Sequence, residues 1–209
     1  MRPSHNAAGV FNKYAVQYQD RFMDVSRYHQ SFDFFCDHLP ATNAGILEIG
    51  CGPGNITRYL LSRQPGLNIL GIDLAPNMLE LAKRNNPAAT FRILDARNIR
   101  QLDSKYQSIL CGFCLPYLSL EETQMLIKDI NDLLLPGGLL YLSTMEDDYS
   151  KSGVKKSSQG DEIYMYYYPA GMLTGILQSH NFKTLYQQRF KYSGPDGAQI
   201  TDLVIIAGK

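Results

Sequence analysis

Gly45–Ile49 is a short apolar run, Gly50-Cys51-Gly52-Pro53-Gly54 follows with a glycine at every second position, and residues 55–62 carry apolar side chains at helical spacing. No other feature constrains the fold of this chain as much. A strand that ends in such a turn and passes straight into a helix needs glycine for two reasons. Glycine reaches left-handed backbone conformations, and it lacks the Cβ that would keep a ligand away from the main chain. The helix that follows presents unpaired N–H groups and the positive end of its dipole, which favour a carboxylate or phosphate. The turn predicts an open α/β sheet with a ligand site at its carboxyl edge.

The rest of the chain repeats this strand-then-helix order. Residues 68–72, 90–94, 108–111 and 139–144 read as buried strands, with helices over 76–85 and 119–135. The helix at 119–135 is the best signed: Ser119 and Glu122 form a capping-box pair, Leu120, Ile127, Ile130 and Leu134 supply its apolar face, and Pro136-Gly137-Gly138 stops it. Strands alternating with helices imply right-handed crossovers and a mostly parallel sheet covered on both faces. After a helix at 170–178, strands near 184–192 and 201–207 are joined only through a short turn around Gly194-Pro195-Asp196-Gly197. Such strands must pair antiparallel. Residues 146–162 are rich in Ser, Lys, Gly and Asp, and 163–168 alternate with Tyr164, Tyr166 and Tyr168 on one face. A polar stretch of that length predicts a lid or a surface insertion.

Composition narrows the function classes. The chain has 209 residues with 20 Lys+Arg against 20 Asp+Glu, so it carries no global field to attract nucleic acid or an anionic membrane. Met1 to Gly9 has no apolar leader segment, and no apolar run approaches the roughly 20 residues that span a bilayer. The expectation is a soluble cytoplasmic protein of one domain, divided into an N-terminal helical cap segment at 1–40 and a main domain at 41–209 with a possible lid at 146–168. Cys36, Cys51, Cys111 and Cys114 are scattered, and neither they nor His5, His29, His38 and His180 complete a set of metal-ligand spacings. Free thiols and no metal are expected.

Asp73 ends the strand after the glycine turn, where an acidic side chain can accept both hydroxyls of a ribose. Alone, the glycine pattern also fits an ordinary tight strand-to-helix turn; with Asp73 it points to a nucleoside. A nicotinamide or flavin site follows G-x-G-x-x-G, which asks for glycine where this chain has Asn55. The order E-x-G-x-G-x-G points to a different cofactor.

On these residues the chain resembles a class I S-adenosylmethionine-dependent methyltransferase of the small-molecule type, from about Phe11 to the C-terminus. Glu48-Ile49-Gly50-Cys51-Gly52-Pro53-Gly54 is similar to the first motif of that family and Gly71-Ile72-Asp73-Leu74-Ala75-Pro76-Asn77-Met78-Leu79 to its second. Leu94-Asp95-Ala96 resembles the third, and Leu135-Pro136-Gly137-Gly138-Leu139-Leu140 the motif before the fifth strand. The resemblance implies a Rossmann-like three-layer sandwich with a seven-stranded, mostly parallel sheet ending in an antiparallel hairpin. It implies that Gly50, Cys51, Gly52 and Gly54 hold the methionine portion of S-adenosyl-L-methionine, Asp73 its ribose, Leu74 and Met78 one side of the adenine, and Asp95 with Ala96 the adenine edge. Cys111 would lie beside the cofactor through its backbone. Phe11-Asn12-Lys13-Tyr14-Ala15 and Tyr18 resemble a segment that folds over the cofactor, so Tyr14 and Tyr18 either contact its carboxylate end or serve as helix packing.

Two departures matter. Gln107 stands where relatives often carry Asp, and Cys114-Leu115-Pro116-Tyr117 lacks the first two positions of the D/N-P-P-Y/F pattern of enzymes that methylate DNA bases or protein amides. A nucleic-acid or glutamine methylase is therefore not inferred. Tyr117 reads as a pocket wall or a packing residue, and Tyr164, Tyr166 and Tyr168 read as an acceptor-binding face or the alternation of an edge strand. Glu146, Asp147 and Asp148 follow the fifth strand but read first as a solvated acidic loop, so no catalytic base is assigned. The leading function is methyl transfer to an unidentified small molecule. A silent S-adenosylmethionine-binding domain acting in protein interaction and an NAD-dependent oxidoreductase are the alternatives.

Overall fold

The computed structural model describes residues 7–156, 160–194 and 197–209. Three helices open the described chain: α1 (Ala7–Lys13), α2 (Ala15–Phe22) and, after a 3-10 turn at Ser26–Tyr28, α3 (His29–Asp37). Strand and helix then alternate through β1 (Gly45–Ile49), α4 (Asn55–Arg63), β2 (Asn68–Asp73), α5 (Pro76–Asn85), β3 (Thr90–Ile93), β4 (Tyr106–Gly112), α6 (Leu120–Leu133) and β5 (Leu134–Met145). A small hairpin, β6 (Gly153–Lys156) with β7 (Glu162–Met165), precedes α7 (Ala170–Ser179), β8 (Lys183–Ser193) and β9 (Gln199–Gly208).

Seven strands form one sheet in the order β3-β2-β1-β4-β5-β9-β8. The first five are parallel, β9 runs antiparallel to β5, and β8 antiparallel to β9. Both faces are covered, which is why the central strands are nearly continuous apolar runs. On one face Phe32 and Phe35 of α3 and Leu60 of α4 pack on Ile46, Ile69, Leu110, Tyr141, Val204 and Ile206. On the other, Ile127 and Ile130 of α6 and Leu173 and Leu177 of α7 pack on Leu47, Ile49, Ile109, Leu140, Leu142 and Ile205. Strand order reverses beside β1, between β2 and β4, and in such sheets ligands bind at the carboxyl edge there.

Most sequence-based boundaries fall within two residues of the observed ones. The capping box of Ser119 and Glu122 forms in full. The expected helix to residue 135 and strand from 139 are corrected: α6 ends at Leu133, and the chain is extended from Leu134 because Leu134 pairs with Tyr106 before the register shifts. Gly138 allows this close approach, since a Cβ there would lie 2.8 Å from the Gln107 carbonyl oxygen. The polar stretch is a short 3-10 turn at Tyr149–Lys151 and the β6–β7 hairpin, with 157–159 outside the described residues. The expected strand over 163–168 is also corrected. β7 ends at Met165 because Tyr166 N–H turns to the Pro116 carbonyl (2.8 Å) and Tyr168 N–H to that of Met145 (3.3 Å). Residues 1–6 of the cap segment and Pro195-Asp196 of the late turn also lie outside the described residues. Among the described residues no helix is long and apolar enough to cross a membrane.

Candidate cofactor and acceptor site

The glycine turn and the carboxyl ends of β2, β3 and β4 border one cavity of about 290 Å³, near the lower end of the range for small-molecule sites. Gly50, Gly52 and Gly54 all take left-handed backbone conformations, with φ of 69°, 53° and 77°. Gly50 and Cys51 donate their N–H groups to the Ile72 carbonyl (2.9 and 3.0 Å), which holds the turn against the end of β2. Asp73 completes this attachment: its Oδ2 accepts Gly52 N–H (2.9 Å) and its Oδ1 accepts Ala75 N–H (2.8 Å). Burial pushes the Asp73 carboxyl above its ordinary range, opposed by the N–H groups of Ala75 and Gly52. One side chain thus fixes the turn while still facing the cavity.

Asp95 begins a 3-10 turn after β3 and caps it, accepting Arg97 N–H at 2.9 Å. The Arg97 guanidinium also grips the Asp95 carboxylate, with Nε 2.9 Å from Oδ1 and Nη2 2.6 Å from Oδ2. Leu74, Met78, Leu94 and Ala96 complete this end with apolar surface. At the other end, Phe11 of α1 and Tyr18 of α2 meet Phe113, Cys114 and Tyr117 from the segment after β4. Phe11 packs edge-on against both tyrosines, at 5.6 Å from Tyr18 and 5.0 Å from Tyr117. Burial pushes the Tyr18 phenol up to about 12 and raises that of Tyr117 further, so both stay neutral at physiological pH. Phe113 is a non-glycine residue at φ 53°, a strained conformation held by its N–H bonds to Ser143 O (3.0 Å) and Oγ (3.1 Å).

Of the residues singled out from sequence, Gly50, Gly52, Asp73, Leu74, Met78, Asp95, Ala96, Tyr18 and Tyr117 border this cavity. The others lie elsewhere. Cys51 and Cys111 are buried in the core behind the turn and strand, and Gly54 packs against Ala82 of α5 and Asn86 just past its end. The Tyr14 hydroxyl donates to Asp161 (2.5 Å) near the hairpin, Tyr164 lies on β7, and Tyr166 stacks with Tyr149. Tyr168 is fully buried, its hydroxyl donating to the Leu118 carbonyl and accepting from Thr123 Oγ1, so it holds the core rather than offering a face. Glu146 pairs with Arg189 (2.5 Å) and accepts Ala170 N–H at the start of α7, while Asp147 pairs with Lys151. Gln107 accepts Gly45 N–H (2.5 Å), joining the starts of β1 and β4.

Sequence reasoning missed Arg97 and Phe113. Phe113 follows the end of β4 by one residue and Arg97 the end of β3 by four, the only signal in the sequence that either borders a site.

Residues 46–138 match the family model described as a methyltransferase domain. The chain is 32% identical over 127 residues to the methyltransferase-named protein 235L of Invertebrate iridescent virus 6, covering 57% of this chain and 47% of the relative. It is 28% identical over 142 residues to the malonyl-[acyl-carrier protein] O-methyltransferase of Enterobacter lignolyticus, covering 68% of this chain and 54% of that one. The chain thus spans about half the length of these relatives. In fold it resembles the Burkholderia thailandensis 1,6-didemethyltoxoflavin-N1-methyltransferase, solved with 1,6-didemethyltoxoflavin and S-adenosylhomocysteine bound, with a TM-score of 0.74, 22% identity, and coverage of 100% of this chain and 91% of that one. The family match runs from β1 to the glycines inside β5, through the strands whose carboxyl ends border the cavity, so this part of the chain is similar to a methyltransferase domain.

Proposed function

We propose that this domain binds S-adenosylmethionine at the carboxyl edge of its sheet and transfers the methyl group to a small-molecule acceptor. The observation that carries this reading is that Asp73 and Asp95, at the ends of neighbouring strands, border the same cavity as the glycine turn. The chemistry of the lining fits the group. Each Asp73 oxygen accepts one backbone N–H, which leaves further acceptor positions for a pair of ribose hydroxyls. Leu74 and Met78 offer an apolar wall for a purine, and Asp95 an acceptor at its edge.

The bound cofactor supplies a methyl group already activated on a sulfonium. The chain's own residues hold and orient. Phe11, Tyr18, Phe113 and Tyr117 surround the acceptor end with rings and exclude water from it. Tyr18 and Tyr117, kept protonated by burial, orient an acceptor as walls or hydrogen-bond donors and do not take up its proton. The relatives named above differ in acceptor, one being named for malonyl-[acyl-carrier protein] and one solved with 1,6-didemethyltoxoflavin bound, so they favour no single acceptor for this chain. We also assign α1 and the β6–β7 hairpin to the cover of the site, on the grounds that Ala7, Ala8 and Phe11 line it and that Lys13 and Tyr14 join the hairpin side through Asp161.

Calorimetric titration tests the cofactor. S-adenosylhomocysteine is expected to bind in the micromolar range and NAD not to bind, with Asp73→Ala weakening the former by more than about tenfold through loss of two charged hydrogen bonds. Binding of NAD alone, or an Asp73→Ala protein of unchanged affinity, overturns the assignment. A metabolite screen with mass spectrometry, watching for a gain of one CH₂, then finds the acceptor; cofactor binding with turnover on no acceptor would favour a silent binding domain.

A further inference from the structure

We propose that Arg97 is a positioning residue, which aims the Asp95 carboxylate so that this end of the cavity reads an amino group on the edge of a purine. The proposal rests on the cofactor reading above. Its geometry is a continuous chain from the start of α6 to the end of β3. Ser119 N–H donates to Glu122 Oε2 (2.8 Å) and Glu122 N–H to Ser119 Oγ (3.3 Å), so the capping box holds the Glu122 side chain. Its other oxygen, Oε1, accepts Arg97 Nη1 at 3.3 Å. Arg97 then turns its remaining edge to Asp95 through Nε and Nη2, while its own backbone N–H bonds Oδ1. Asp95 and Arg97 both border the cavity; Glu122, behind them, does not.

An ionised carboxylate has about four acceptor positions. A lone aspartate at the head of a turn spends them on water and on several rotamers. Here the planar fork of Arg97, with its backbone N–H, fixes the carboxylate plane and occupies most of those positions, a bidentate geometry that lysine cannot reproduce. What remains is a directional acceptor with no donor of its own. It accepts from an exocyclic amino group and opposes a carbonyl oxygen placed at the same point, and a site built for one hydrogen-bonding group rejects the analogue that lacks it. Selectivity between amino and oxo purines is therefore assigned to the Arg97–Asp95 pair, with Glu122 and the cap of α6 as its support.

The test is calorimetric titration of the full chain with S-adenosylhomocysteine and its 6-oxo analogue, S-inosylhomocysteine. The unaltered protein is expected to prefer the adenosyl ligand by about a hundredfold. Arg97→Ala is expected to lower that preference to within about tenfold, chiefly by weakening the adenosyl ligand, with Arg97→Lys between the two because it keeps the charge and loses the fork. Glu122→Gln, which borders no part of the cavity, keeps the fold while loosening the fork, and is expected to lower the preference severalfold. Thermal unfolding of each variant checks that it is folded. An Arg97→Ala protein that keeps the full preference, or that weakens both ligands equally, overturns the proposal, since a merely structural arginine would act on both alike. Failure of the unaltered protein to bind either ligand would instead overturn the cofactor reading, and this proposal with it.

Discussion

Glu48 shows how much one side chain in the glycine motif is shaped by where the fold puts it. It lies on β1, almost fully buried, and accepts a hydrogen bond from Thr57 Oγ1 on α4. Burial pushes its carboxyl up to about 8; the Thr57 bond works against that shift and the nearby Asp73 carboxylate adds to it. The sign of the resulting pH dependence follows. Below the unfolded-state value of about 4.5 both states carry the proton and nothing is gained or lost. Between there and pH 8 the unfolded chain releases a proton that the folded chain keeps, so stability falls as pH rises, by roughly 1.4 kcal/mol for each pH unit in that window. Glu48→Gln keeps the shape and an acceptor for Thr57 and removes the titration. Denaturant unfolding of the ligand-free protein should find the two proteins about equal near pH 4.5 and the variant more stable by a few kcal/mol at pH 8. Parallel stability curves would mean that Glu48 is ionised in the fold.

Within the turn that joins β1 to α4, the three glycines have different tasks, which gives a prediction at the level of the element. A Cβ on Gly54 would lie 2.3 Å from Asn86 Nδ2, the group that donates to the Gly54 carbonyl and ties the start of α4 to the end of α5. Gly54→Ala should therefore destabilise the fold by about 2–4 kcal/mol, from left-handed strain and a broken buried hydrogen bond. A Cβ on Gly52 would meet only the Tyr18 ring, at 3.8 Å, on the cavity side. Gly52→Ala should lose about 1 kcal/mol of stability from strain alone while abolishing S-adenosylhomocysteine binding, and unfolding curves beside calorimetry separate the two effects. The sequence pattern made all three glycines look alike, because spacing reports the need for positive φ and not which neighbour lies beyond the missing Cβ. The same limit explains the rest of what was legible. Alternating strands and helices, the α6 cap and the late antiparallel pair are written in local patterns. The burial of Tyr168 against Leu118 and Thr123, and the bond of Arg97 to Glu122, depend on segments that only the folded chain brings together. A charged residue just past a strand reads as solvated surface until α6 arrives beside it.

At the scale of the whole molecule, the cavity is closed on one side by a helix that the sheet does not hold directly. α1 contributes Ala7, Ala8 and Phe11 to the lining and, among the described residues, is fastened by polar contacts on two sides. On one side Asn12 accepts Asn77 N–H (2.8 Å) and Asn77 Nδ2 bonds its carbonyl (2.9 Å), fastening α1 to α5. On the other, Asp161 takes Lys13 Nζ (3.0 Å) and the Tyr14 hydroxyl, fastening α1 to the segment that leads into β7. The hairpin side is in turn anchored to the cavity wall, since Tyr166 N–H bonds the carbonyl of Pro116, next to Tyr117. These ties are polar and mostly exposed, and the apolar packing beside them is confined to a small cluster of Phe11 with Ala15, Ala75 and Met78 apart from the main core, which is the character of a segment that opens locally without unfolding the domain. Asp161→Ala removes one tie and leaves the core untouched. The midpoint of global unfolding should hardly move, while α1 opens more often. S-adenosylhomocysteine should then leave severalfold faster in stopped-flow displacement, and trypsin should cut earlier at Lys13 and Arg21 in the ligand-free protein, with bound ligand restoring protection. Unchanged release and unchanged cleavage would show that α1 is held by its packing against α5 and Tyr117, and that the Asp161 contacts lie on the surface without governing access to the site.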